Sequence, residues 1–238
     1  PGNREPEGFI ESATGKVHLW MNLVNGFPPP STYVMGCDLS AGTGATPTCF
    51  SMIDALTGEK VLEYADALIA PKEAAVLALA LCQLFKDQMG NGAKVGWENV
   101  GPGGPFGKQI VDLGYRNLFY RERPATVMHK ETELLGWSPS GEAKNLLLHE
   151  YKTALYDRRM LNRSELALRE FMQFRYKANG SLEHSAEQSP NDPSGARMNH
   201  GDRVIADALA WLMAKGLQRS VAKKQKEEIR VGSLAWRR

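Results

Sequence analysis

The 238-residue sequence contains little cysteine, no long apolar run and almost no net charge. Its three cysteines, Cys37, Cys49 and Cys82, are odd in number and lack metal-ligand spacing, which argues against a disulfide framework and a zinc site. We interpret them as buried, reduced thiols, as expected in a cytosolic compartment. No stretch reaches the roughly 18 apolar residues that predict a membrane span, and no signal peptide is visible. The net charge of +2 gives no global sign of nucleic-acid binding.

The composition that is present, 42% hydrophobic and 24% charged residues, is that of a globular domain. Residues 1–32 are rich in glycine, proline and polar residues, and we expect them to be a linker from an upstream domain that this chain lacks. Residues 33–218 carry the periodic patterns of a folded domain. Residues 219–238 are basic and poor in apolar residues, which predicts a flexible tail.

Alternating and continuous apolar runs predict strands at 33–38, 47–54, 60–68, 93–98 and 117–120. Helical spacing predicts helices at 71–89, 105–113, 142–158, 164–173 and 200–218. The pair Asn179-Gly180 predicts a further hairpin. This order favours an α/β fold with a mixed five-stranded sheet, three antiparallel strands and then parallel ones, and helices on both faces.

Three acidic residues lie where such a fold places a functional site. Asp38 ends the first strand, Glu98 ends the fourth, and Asp202 begins the last helix. Sites in open sheets lie at the carboxyl ends of strands. If the three carboxylates converge, they form an oxygen-rich site for one or two hard divalent cations, whose expected chemistry is phosphodiester hydrolysis.

Each acid also has a simpler interpretation. Asp38 could be a turn residue, Glu98 a solvated strand end, and Asp202 a helix-start carboxylate that faces the helix dipole. His200 could position a water or protonate a leaving group, or be an ordinary loop histidine. The glycine loop at 101–107 does not have the spacing of a nucleotide-binding loop.

An ordered set of motifs over residues 33–216 resembles the nuclease domain of phage terminase large subunits. The motifs are Gly36-Cys37-Asp38-Leu39-Ser40; Trp97-Glu98-Asn99; Leu135-Gly136-Trp137 followed by Lys144; Glu170 and Phe171-Met172-Gln173-Phe174 before Asn179-Gly180; and the run from His200 to Ala210.

This resemblance implies a ribonuclease H-like fold and a metal-dependent endonuclease that cuts concatemeric double-stranded DNA. Asp38, Glu98 and Asp202 match the family's metal-binding acidic positions, with two Mg²⁺ or Mn²⁺ ions as the expected cofactors. The family often carries two adjacent acids after the histidine, and Gly201 replaces the first here. Asp207 is then the remaining candidate for a fourth ligand.

The resemblance also implies partners. An ATPase domain should precede this chain, which would not hydrolyse ATP by itself. The portal protein and the terminase small subunit are expected partners, and the host cytoplasm, not the mature virion, is the expected location. The basic tail could contact DNA or the portal, or could be unengaged.

We expect the DNA contacts to be mainly with phosphates and weakly sequence-specific. The candidate contact residues are Lys108, Arg121, Arg123, Lys130, Lys144 and Arg197. Solvated surface charge is the alternative for each of them.

Three other functions fit parts of the pattern. An actin-like sugar kinase or chaperone ATPase has a similar loop after its first strand, although it needs a second, similar domain. A Holliday-junction resolvase or a transposase-type nuclease would use the same fold on branched DNA. A non-catalytic docking module for the portal or small subunit would not depend on Asp38.

Overall fold

The computed structural model describes residues 6–121, 134–178, 180–185, 192–198 and 200–227, with side chains described up to residue 217. Its strands are β1 (Val17–Leu19), β2 (Tyr33–Asp38), β3 (Thr48–Asp54), β4 (Glu59–Asp66), β5 (Lys94–Trp97), β6 (Tyr120–Arg121), β7 (Leu134–Leu135), β8 (Phe174–Tyr176) and β9 (Leu182–His184). Its helices are α1 (Pro71–Leu84), α2 (Gly103–Asp112), α3 (Gly141–Tyr156), α4 (Glu165–Met172) and α5 (Asp202–Glu227).

A mixed five-stranded sheet in the order β1-β4-β3-β2-β5 forms the centre of the fold. Strands β1 to β4 pair antiparallel, and β5 pairs parallel to β2. The predicted mixed five-stranded sheet is therefore confirmed. Its fifth member, however, is β1, which lies inside the segment predicted to be a linker. The predicted strand at 117–120 is not one of the five. The Val95 amide of β5 donates to the Asn117 carbonyl oxygen, and the Phe119 amide donates to the Val95 carbonyl oxygen. Only residue 120 belongs to a strand, in the small pair β6–β7.

Helices cover both faces of the sheet, as the sequence predicts. In β2, Tyr33, Met35 and Cys37 pack in the core shared with α1 and α2. Val34 points to the opposite face, into the core that α3 and α5 fill. Successive side chains of a strand alternate between faces, so the even-numbered residues of β2 face α5.

Two helices end more than two residues away from their predicted ends. The α1 helix ends at Leu84 because Asp87 forms a local turn: its carboxylate accepts hydrogen bonds from the backbone amides of Met89 and Asn91. The α5 helix continues past residue 218 to Glu227, so the first part of the predicted tail is helical. After Gly216, no proline or glycine occurs before residue 228 to interrupt it. Residues 228–238 lie outside the described residues.

The predicted hairpin is present as β8–β9, where Phe174 pairs with His184. Gly180 has a φ of 80°, the left-handed conformation that this turn requires. Within the part of the chain that the structure describes, no helix has both the length and the apolar character needed to cross a bilayer.

Candidate metal centre

Two of the predicted acids meet at one edge of the sheet. Asp38 is the last residue of β2, and Glu98 follows the last residue of β5. The parallel register pairs Cys37 with Trp97, and the Glu98 amide donates to the Cys37 carbonyl oxygen at 3.4 Å. Asp38 and Glu98 are therefore neighbours on adjacent strands.

Both side chains project from the face that α5 covers. A Cβ on Gly36 would touch Ala206 of α5, and a Cβ on Gly96 would touch Met213 of the same helix. Asp38 and Glu98 each lie two residues further along their strands, and residues two apart share a face.

The start of α5 brings the third acid to the same place. Asp202 is the first residue of α5, one helical turn before the point where Ala206 contacts Gly36. One turn of helix and two residues of strand both span about 6 Å. The negative charge of Asp202 is also the largest electrostatic cause of the raised pKa of Asp38, so the two carboxylates lie within range of each other.

Burial and mutual repulsion shape the ionisation of these acids. The pKa of Asp38 is raised well above its ordinary value by desolvation, then by the charges of Asp202 and Glu98. Desolvation raises the pKa of Asp202 to about 6, although the backbone amides of His200 and of Asp202 itself oppose the shift. Desolvation also raises the pKa of Glu98, and the Lys144 ammonium opposes it.

The donor set suits a hard cation. All three side chains are partly exposed, so a cation can reach their oxygens from solvent, and an all-carboxylate set favours Mg²⁺ or Mn²⁺ over softer metals. Across the described ranges, however, no three His, Cys, Asp or Glu side chains are grouped tightly enough to hold an ion as they stand. The charges of Asp202 and Glu98 therefore reach Asp38, but the three carboxylates do not form a complete set of metal ligands as they stand.

His200 lies beside this trio and is exposed. Its backbone amide donates to the Asp202 carboxylate at 3.4 Å, and its proximity lowers the pKa of Asp202. The predicted auxiliary residue is therefore next to the centre.

Asp207 does not lie next to the three acids, and its prediction as an auxiliary ligand is corrected. Its side chain is completely buried, 2.6 Å from the Lys60 ammonium and 2.6 Å from the Asn162 amide. The Tyr151 hydroxyl donates to the same carboxylate at 3.2 Å. The five residues between positions 202 and 207 turn the helix by about 140° beyond a full turn, so Asp207 points to another face of α5.

The basic residues predicted to contact DNA lie in different places. Lys144, exposed on α3, lies close enough to lower the pKa of both Asp38 and Glu98. Lys108 forms a surface ion pair with Asp112 at 2.7 Å. Arg121 is partly exposed at the end of β6.

Arg197 donates to the carbonyl oxygens of Thr43 and Gly44, in the loop after Asp38. Arg123 and Lys130 lie outside the described residues.

The sequence analysis did not predict a buried group of charged residues around Arg203, the residue that follows Asp202. The Arg203 guanidinium contacts the carboxylates of Glu63, Glu170 and Asp192. The available signal was Arg203 itself, a charged residue that begins an otherwise apolar helical stretch.

Gly201 leaves no room for the second adjacent acid that the resembled family often has. Its φ is 84°, and a Cβ at this position would lie 2.5 Å from the Phe174 ring. An aspartate here would be strained and would collide with that ring.

Comparisons with known proteins bear on the fold of the chain. No family model and no curated protein matches the sequence. Among solved structures, the large terminase nuclease of thermophilic phage G20c with bound magnesium is similar, with a TM-score of 0.60, 16% identity, and coverage of 87% of this chain and 91% of that one. The large terminase nuclease domain of Thermus phage P74-26 has a TM-score of 0.56 at 17% identity and covers 83% of this chain and 85% of its own. The chain therefore has the ribonuclease H-like fold of the phage large terminase nucleases.

Proposed function

We propose that this chain is the nuclease domain of a phage large terminase. It would cut double-stranded DNA by metal-dependent phosphodiester hydrolysis with little sequence specificity. The observation that supports this most directly is the position of Asp38 and Glu98 at the ends of two adjacent parallel strands, with Asp202 at the start of the helix that packs on them. The fold agrees, and one of the similar nucleases is known with bound magnesium and with bound cobalt.

In this proposal the three carboxylates hold two Mg²⁺ or Mn²⁺ ions. Asp38 would contribute to holding both ions, and Glu98 and Asp202 would complete the set of donors. Such ions lower the pKa of a bound water and stabilise charge on the attacking and leaving oxygens. The carboxylates act in their ionised forms, so cation binding must overcome their raised pKa values.

The remaining residues act on the substrate. Lys144 lies near Asp38 and Glu98 and is the best-placed phosphate contact, because a phosphodiester that reaches the carboxylates brings its own negative charge there. His200 beside Asp202 is placed to exchange a proton with a water or leaving group. Phosphate contacts of this kind give binding with little sequence preference.

The wider assignment follows from the same proposal. The cutting domain would work with an ATPase domain that precedes it, with the portal protein and with the small subunit. It would act on concatemeric DNA in the host cytoplasm and would not be part of the mature virion.

Nicking of supercoiled plasmid tests the proposal. The wild-type chain should nick plasmid with Mn²⁺ or Mg²⁺ and stop in excess EDTA. Asp38→Asn, Glu98→Gln and Asp202→Asn should each lower the rate roughly a thousandfold, since each removes several kcal/mol of metal-dependent stabilisation. Asp112→Asn is the matched control, because Asp112 is an exposed acid paired with Lys108 on the surface.

Two results would change the assignment. Cutting that persists in EDTA would refute the metal mechanism. A strong preference for branched over linear DNA would favour a resolvase-type nuclease on the same fold. A Mn²⁺ soak of crystals would then identify which carboxylates bind the ions.

A further inference from the structure

Glu170 is a buried carboxylate that the proposed chemistry does not use. It lies near the end of α4 and is 3% exposed. One carboxylate oxygen accepts from the backbone amide of Arg203 at 3.1 Å, and the other accepts from the Arg203 guanidinium at 2.5 Å. A single side chain therefore holds both the main chain and the side chain of the residue that follows Asp202.

The backbone contact is made at the start of α5. The first four amides of a helix have no partner within the helix, and a carboxylate there is favourable to the helix dipole. Arg203 is the second residue of α5, so Glu170 supplies an acceptor from another helix to one of these amides.

The residue before Asp202 is held by the same part of the chain. Gly201 packs against the ring of Phe174, so closely that a Cβ would lie 2.5 Å from two ring carbons. Glu170 and Phe174 are four residues apart. The two chain neighbours of Asp202 are thus both fixed by the segment 170–174, one on each side.

Glu170 shares its cationic partner with two other carboxylates. The Arg203 guanidinium that it contacts makes a two-point contact with Asp192 at 2.9 and 2.8 Å and a third contact with Glu63 at 3.2 Å. If Glu170 turned away to bind a cation, it would lose its hydrogen bonds from both the backbone amide and the guanidinium of Arg203.

We propose that Glu170 is a positioning residue that fixes the first turn of α5, and with it the carboxylate of Asp202, without binding a cation itself. The inference rests on the proposed function, because it assumes that Asp202 is a metal ligand. Groups that orient a ligand typically change metal affinity 10–100-fold when they are replaced.

Glu170→Gln tests this, with Glu165→Gln as its control. Glu165 lies on the same helix but is exposed and pairs with Arg169 on the surface. Mn²⁺ binding is measured by electron paramagnetic resonance without DNA, and plasmid nicking is measured across a Mn²⁺ titration. We expect Glu170→Gln to bind the same number of Mn²⁺ ions as wild type with about 10–100-fold lower affinity. Saturating Mn²⁺ should restore most of the nicking rate, and Glu165→Gln should match wild type.

Two outcomes overturn the inference while the proposed function stands. If Glu170→Gln binds one Mn²⁺ fewer and excess Mn²⁺ does not restore nicking, Glu170 is a ligand. If its Mn²⁺ affinity equals that of wild type, Glu170 does not position the site. Failure of the proposed function looks different, because the wild-type chain itself would then neither bind Mn²⁺ nor nick plasmid.

Arg203→Lys tests the same inference if Glu170→Gln does not fold. It keeps the positive charge and loses the planar fork that reaches several carboxylates at once. Unchanged ion number with reduced Mn²⁺ affinity in Arg203→Lys supports positioning through the Glu170–Arg203 pair, and unchanged affinity overturns it.

Discussion

Gly36 of β2 lies directly against Ala206 of α5. A methyl group on Gly36 would be 2.1 Å from the Ala206 carbonyl oxygen and 2.5 Å from the Ala210 amide nitrogen. The helix therefore rests on the strand backbone itself. This contact sets the depth at which α5 crosses the sheet, and Asp38 and Asp202 lie just beyond it in opposite chain directions.

Gly36→Ala should consequently disturb both the fold and the site. Because the atoms in the way belong to the helix backbone, α5 must move outward, and overpacking of this kind costs about 1–3 kcal/mol. We expect a lower urea midpoint and, in the chains that remain folded, slower nicking. Gly216→Ala is the matched control: Gly216 lies on α5 with nothing within 4 Å of the added methyl, so alanine should stabilise the helix. Wild-type stability and nicking in Gly36→Ala would show that α5 does not rest on β2 as described.

Removal of a site carboxylate should stabilise the protein when no metal is added. The pKa of Asp202 in the folded chain is about 6, above its ordinary value. The contribution of such a group to stability is complete below its unfolded pKa and is lost as the pH rises through about 6. At pH 7 in EDTA, Asp202→Asn should therefore be more stable than wild type by about 2 kcal/mol.

Thermal unfolding at several pH values measures this effect. The advantage of Asp202→Asn should shrink as the pH falls towards 4, where wild-type Asp202 is protonated in the folded state as well. Added Mg²⁺ should raise the melting temperature of wild type more than that of the variant, since a ligand stabilises the state that binds it. Asp112→Asn should show neither effect. A less stable Asp202→Asn at pH 7 in EDTA would contradict the electrostatic description of the site.

Lys144 should contribute to DNA binding more than the other lysine of its helix. Its charge reaches both Asp38 and Glu98, so a phosphate at the site lies within its range too. We expect Lys144→Gln to weaken duplex binding about three- to tenfold and to lower the salt dependence by about one phosphate contact. Fluorescence anisotropy of a labelled duplex in EDTA, repeated at several salt concentrations, measures both.

Lys152 supplies the comparison on the same helix. Its ammonium lies over the ring of Tyr176, 5.5 Å from the centroid. Lys152→Gln should leave the salt dependence unchanged. Equal losses in the two variants would indicate general surface charge in place of a specific contact.

The features that could be predicted from the sequence are those that depend on local pattern. Asp38 and Glu98 follow apolar runs long enough to be buried strands, so residue type alone predicts that they lie at strand ends. The same is true of Pro71, where a helix begins, and of the hairpin turn at Gly180. Convergence at one edge then followed from the general placement of sites in such sheets.

Features that depend on distant contacts could not be predicted. Val17–Leu19 is too short to stand out as a strand, and it becomes one only because the edge of β4 is available to pair with it. Asp207 was predicted to lie near the site because it is five residues from Asp202 on the same helix. The sequence does not show that Asp207 pairs with Lys60 instead. Glu170 belongs to the motifs that carry the resemblance, but its contact with Arg203 could not be predicted, since the two residues are 33 positions apart.

The buried ion pair between Lys60 and Asp207 gives a prediction that separates structural from metal-binding acids on the same helix. Both side chains are 0% exposed, and their charged atoms are 2.6 Å apart. Lys60 also contacts Glu63 at 2.6 Å, and the negative charges of Asp207 and Glu63 raise its pKa even though burial opposes this. Loss of Asp207 would leave the buried Lys60 ammonium with Glu63 as its partner and would remove an acceptor from the Asn162 amide and the Tyr151 hydroxyl. Asp207→Ala should therefore lower the free energy of unfolding by about 3–5 kcal/mol.

A double-mutant cycle and a metal titration complete that test. Lys60→Met combined with Asp207→Ala should cost less than the sum of the two single changes, because neither charge is then left unpaired. Mn²⁺ affinity, measured on the folded fraction at low temperature, should equal that of wild type in Asp207→Ala, in contrast to Asp202→Asn. Normal stability together with weakened Mn²⁺ binding in Asp207→Ala would show that Asp207 belongs to the metal centre and not to the buried ion pair.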